Sequence, residues 1–190
     1  IESAAAEDET MNEEERHKRE MNLNAHFAWG LAMWGSADVA REEGLYLPAS
    51  IGYYYSAFHA CFAAINSNTK IPVESLARTR HAKLEEWIED FLPGWIPLCF
   101  TELRALREGM NYLGLGDPIS KLRVVQGGPL LIEGGAGDLA FLAAVDRARS
   151  LSLIVLRETL NHLQQWCTAN GVVVQKREDP EQYWLKKYMQ

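Results

Sequence analysis

The chain is poor in cysteine, and the three it has form no pattern. Cys61, Cys99 and Cys167 are scattered and odd in number. No CxxC pair and no Cys/His spacing links them, which excludes a zinc-ribbon fold and a disulfide framework. Reduced thiols are the simplest reading, with Cys61 in a core, and they point to a cytoplasmic protein. Apolar runs long enough to cross a membrane are also lacking. The N-terminus is acidic where a secretory segment would be basic and then apolar. There is no GxxxxGK[ST], no GxGxxG after a strand and no GxSxG elbow, so the common nucleotide-fold and hydrolase architectures are excluded. The five histidines form no HExxH or other ligand spacing. No metal site and no cofactor is expected.

Positive charge is scarce as well. The net charge is −7, and residues 1–20 hold eight acids against three bases, a net of −5. The other 170 residues are therefore close to neutral, at −2. Such a body has no basic field for strong nonspecific nucleic-acid binding, although a small local basic site is compatible with it. Residues 1–11 read as a flexible acidic stretch, an appended or processed leader, with Met11 a plausible natural start.

What the chain does have is helical periodicity and enough apolar residues, 47% of 190, for one domain with a core. Residues 12–43 read as a long helix with acids early and Phe27, Leu31, Trp34 and Val39 on one face, stopped at Gly44. A second helix follows Pro48 and runs to about Asn66. Residues 80–92 form a third, with Leu84, Trp87, Ile88 and Phe91 inward, and PGWIP makes the turn after it. Residues 99–113 form a fourth, whose Cys99, Leu103, Leu106, Met110 and Leu113 make a clean stripe. Two β-prone runs about Gly127-Gly128-Pro129 predict a small hairpin over 121–133. From Asp138, a good N-cap, a fifth helix runs to about Asn170. The fold class is thus all-α: an up-and-down bundle of four to five long helices, one domain over 12–190, with a β-hairpin insertion.

Three places could carry chemistry. Arg104, Arg107 and Asn111 lie at i, i+3 and i+7 of the fourth helix, with Tyr112 next. Two guanidiniums and an amide on one rigid face could grip a phosphate or carboxylate, or form an ordinary solvated face with Arg104–Glu108 as an i, i+4 pair. Arg149 and Ser152 interrupt the apolar stripe of the fifth helix. A buried arginine there needs a ligand or a paired acid from another helix. His59 sits one turn after Tyr55 in YYYSAFHACFAAI (residues 53–65). It could act as a general base, or it could be a hydrogen-bonded core residue beside Ala57, Ala60 and Ala64, small enough to let another helix approach.

Two stretches resemble the HEPN superfamily (higher eukaryotes and prokaryotes nucleotide-binding). One is YYYSAFHACFAAI on the second helix, similar to the family's aromatic–small–aromatic–His–Ala pattern. The other is LRALREGMNYLG on the fourth. The resemblance covers roughly residues 49–116, and it implies a helical domain that forms a homodimer through its fourth and fifth helices. Catalytic members are metal-independent endoribonucleases that use an Arg, a spacer of four to six residues, and a His. Arg107 matches that arginine, but Tyr112 stands five positions later and Asn111 precedes it. Tyrosine, with a reference pKa near 10, is a poor base at neutral pH. The resemblance therefore implies a non-catalytic binder of a nucleotide, RNA or protein partner, in a toxin–antitoxin, defence or stress setting. Arg104, Arg107, Arg149 and His59 would be its ligand-binding residues. The alternatives are a divergent ribonuclease using Arg107 with Asn111 and Tyr112, and a purely structural bundle subunit.

Overall fold

A computed structural model of the chain describes residues 12–76, 81–111 and 136–170. Every regular element among them is an α-helix: α1 (Glu13–Glu42), α2 (Tyr46–Asn66), the single turn α3 (Val73–Leu76), α4 (His81–Phe91), α5 (Trp95–Asn111) and α6 (Ala136–Ala169). The hairpin expected over 121–133 falls outside the described residues, as do Tyr112 and the stretch 1–11. No described helix is long and apolar enough to cross a membrane.

Helix ends follow local chemistry. The Asn12 side chain accepts from the Glu15 N–H at 2.8 Å, and Glu13, Glu14 and Glu15 occupy the positive first turn of α1. Gly44 ends α1 at φ 72°, where a side chain would be strained. Its N–H donates to the Arg41 carbonyl, and the Leu45 N–H donates to that of Ala40, so the last carbonyls are satisfied. α2 starts at Tyr46, two residues before the expected Pro48 boundary, and α5 starts at Trp95 with Pro97 inside. Each proline is third in its helix, where the missing N–H has no intrahelical partner to lose. α6 begins at Ala136, so Asp138 lies within the helix and is not its N-cap.

The helices pack as a bundle around α2, which touches α1, α4, α5 and α6. Tyr54, Cys61, Phe62 and Ile65 are buried as their spacing predicts, and so are Ala57, Ala60 and Ala64, whereas Phe58 is only partly covered. Burying each large apolar side chain contributes about 1.5–3 kcal/mol. Val39 and Phe91, expected inward, are exposed. Val39 lies next to Asp38 and Ala40 on a turn whose inward positions belong to Trp34, Ala37 and Asp38, and Phe91 is the last residue of α4.

α1 and α2 run antiparallel, since His26 meets His59 while Ala37 meets Gly52. Their backbones come close because small residues line the crossing. A Cβ on Gly52 would sit 2.8 Å from Ala37 Cβ and 3.3 Å from the Met33 carbonyl, and one on Gly30 would sit 3.1 Å from the Ser56 carbonyl. Gly52→Ala should therefore lose about 1–2 kcal/mol, overpacking outweighing the gain in helix propensity. Gly94→Ala, which meets nothing within 4 Å, should be nearly neutral. Urea unfolding of the two variants side by side checks this.

Candidate functional site

The fourth-helix cluster separates into two arginines with different surroundings. Arg104 pairs with Glu85 of α4 in a very short contact and lies 3.9 Å from Glu108. Its charge is largely answered within the fold. Arg107, one turn on, has only Glu108 beside it among the described acids, at 3.5 Å. Its guanidinium carbon lies over the Tyr54 ring of α2, 4.2 Å from the ring centre. Its Nε is buried and, among the described residues, has no hydrogen-bond partner. Asn111 is the last residue of α5.

Tyr54 is 1% exposed and forms the floor of this site. Burial pushes its phenol up to about 12, and the Arg107 charge opposes that shift only in part. The ring therefore stays neutral at physiological pH and presents a π-face to the cation. From Tyr54 a series of ring contacts runs along α2. Tyr55 meets Tyr54 edge-on at 5.2 Å, Phe58 meets Tyr55 at 6.2 Å, and His59 meets Phe58 at 5.5 Å. The series ends at α1, where the His26 ring centre lies 5.3 Å from that of His59 and the exposed Trp29 stacks on His59.

His59 is thus separated from Arg107 by this aromatic series. Its Nδ1 lies 3.0 Å from His26 Nδ1 on α1, so it joins two helices and does not face the arginine.

Arg149 lies in a third place. Asp38 of α1 supplies the acid that a buried arginine requires, gripping it through two bonds, Nε–Oδ1 at 2.8 Å and NH2–Oδ2 at 3.1 Å. The guanidinium also lies 4.7 Å from the Trp34 ring centre. Tyr53 donates its hydroxyl to Asp38 Oδ1. Burial first, and then that hydrogen bond, raise the Tyr53 phenol far above its ordinary value. Arg41–Asp146 at 2.6 Å ties the same two helices a turn away. The node Trp34–Asp38–Tyr53–Arg149 fastens α1, α2 and α6 together. Ser152, three residues after Arg149 on α6, is fully buried.

Sequence reasoning missed Asp38, Tyr53, His26 and Arg19. Asp38 carried one weak signal: it lies four residues after Trp34, an acid on an otherwise apolar face. Among the described residues no group of three or more His, Cys, Asp or Glu side chains is placed to hold a metal. A polar groove on the outer face of α6, lined by Glu158, Asn161, Gln164, Gln165, Thr168 and Ala169, contains none of the candidate residues.

Compared with known proteins, the chain matches no family model, no curated protein and no solved structure.

Proposed function

We propose that this chain is a HEPN-like helical domain that works by binding and not by catalysis. Arg107 is its anion-gripping residue, and the ligand is a nucleotide or an RNA phosphate. One observation carries the reading. Among the described residues Arg107 pairs with its neighbour Glu108 alone, at 3.5 Å, and its guanidinium lies over the Tyr54 ring with a buried Nε lacking a partner. Leaving a buried donor unsatisfied costs about 1–3 kcal/mol, which an incoming oxyanion would recover. Arg104, already bound to Glu85, contributes field and not a free fork.

The same reading takes residues 12–190 as one domain, with its helices in up-and-down order. It pairs two copies through α5 and α6, so that two Arg107 side chains line one cleft, and it places the protein in the cytoplasm beside a partner in a toxin–antitoxin, defence or stress system. Arg149, neutralised by Asp38, drops out of the ligand set and serves the fold.

Arg107→Ala should weaken binding of a short single-stranded RNA or a nucleotide at least ten-fold, read by fluorescence anisotropy, with the melting temperature as a folding control. Arg107→Lys should fall between, because an ammonium keeps the charge but not the planar fork. Equal affinity in all three proteins would remove Arg107 from the site. No binding and no thermal shift with any nucleotide or RNA would favour the purely structural subunit.

A further inference from the structure

We propose that His26 and His59 form a one-proton lock between α1 and α2, closed while one proton lies between their Nδ1 atoms and opened when both rings are charged. The two Nδ1 atoms are 3.0 Å apart and the ring centres 5.3 Å apart. That separation is close to the nitrogen gap plus one ring radius on each side, so the nitrogens point at one another along the line of centres. This is hydrogen-bond geometry. A zinc on that line, at ~2.0–2.1 Å per bond, would need a gap of ~4 Å.

The proton count follows from the geometry. With both rings neutral, one Nδ1–H donates to the other Nδ1. A first added proton goes to the outward Nε2 of the donor ring and leaves the bond intact, now charge-assisted. A second has only the accepting Nδ1 left. It would set two N–H groups face to face between two cations, so the rings must part. Burial and the His59 charge together push His26 from its usual 6.5 down to about 4, in keeping with that cost.

Among the described residues within a turn of the pair, α1 offers no other ionisable group, and α2 offers the Tyr55 phenol, one turn before His59, and the Cys61 thiol, fully buried and pushed up by that burial. On α6, which packs against Gly30 through Leu156, His162 is held by Ser67 Oγ at 2.9 Å and is itself pushed down by burial. Opening the pair would free Trp29, which is 57% exposed and stacked on His59 at 6.4 Å. The stability consequence has a definite sign. Between pH 6.5 and about 4 the unfolded chain binds a proton at His26 that the folded chain refuses, so stability falls as the pH falls through that window and is level above it.

The test is a pH titration of the full chain, following the histidine ring signals by NMR and Trp29 by the fluorescence difference from Trp29→Phe. The pair should titrate in two separated steps, the second at least ten-fold weaker in proton affinity than the first, and the Trp29 signal should follow that second step. In His26→Gln/His59→Gln the Trp29 transition should vanish. A single step common to both rings, or a Trp29 signal indifferent to the second proton, would overturn the lock. So would a zinc-induced rise in melting temperature that only the wild type shows, since the pair would then be a metal site. The ring titrations need no variant and decide the matter even if the double variant does not fold.

Discussion

Arg19→Ala is expected to cost about 3–5 kcal/mol of folding stability, the range for removing one partner of a buried ion pair. Arg19 is fully buried although it sits in a charged run, EEERHKRE, at the start of α1. Its Nε and NH2 donate to Glu15 Oε1 at 2.9 and 2.7 Å. NH1 donates to the carbonyls of Asn66 and Asn68, both at 3.0 Å, and NH2 to that of Ile71 at 2.6 Å. The guanidinium therefore closes the C-terminal end of α2 and the turn after it, where carbonyls have no helical N–H to accept from. Alanine would strand these acceptors and the partly buried Glu15 carboxylate together. Lysine should recover only part of the loss, because its single ammonium cannot span the positions the fork reaches. Urea unfolding with an unchanged slope against denaturant measures this. A loss below about 1 kcal/mol would show that the carbonyls are satisfied by water.

Asp38→Ala is expected to cost about 2–3 kcal/mol at neutral pH, less than a fully buried pair because Asp38 and Arg149 side chains remain 24% and 27% exposed. The change removes both bonds to Arg149 and the acceptor of the Tyr53 hydroxyl. It leaves the Arg149 cation against Trp34 without the Asp38 carboxylate. Asp38→Asn keeps an acceptor for Tyr53 and should lose about half as much. A double-mutant cycle with Arg149→Ala should give a coupling of at least about 1 kcal/mol. If the single losses simply add, the node is not the joint between α1, α2 and α6 described above.

Arg19 and Asp38 also show where the sequence stops being legible. Periodicity finds what neighbours along one helix decide: the long first helix, its stop at Gly44, and the buried face of Tyr54, Cys61 and Ile65. It cannot tell Arg19 from Arg16 or Lys18. All three look like one solvated face until the chain folds back some fifty residues later and buries one of them. His26 and His59 are likewise unremarkable singly; only the register of two antiparallel helices brings their nitrogens together. Arg104 and Arg107 look equivalent at i and i+3, and it is Glu85, on a different helix, that answers one and leaves the other. Arg149 is visible as an anomaly in a greasy stripe, but its partner Asp38 lies on another helix and only the packing of α1 against α6 brings it opposite. The resemblance that directed attention to Arg107 rests on residues 49–116, of which Tyr112, standing where a catalytic histidine would be, falls outside the described residues.

The central claim is that Arg107 holds a ligand without cleaving it. The most direct measurement is to incubate purified wild type and Arg107→Ala with end-labelled single-stranded RNA, following both retention and cleavage. The account predicts that the wild type retains the RNA, that Arg107→Ala releases it, and that the RNA stays intact in both. Cleavage by the wild type that disappears in Arg107→Ala would contradict it and make this chain a ribonuclease.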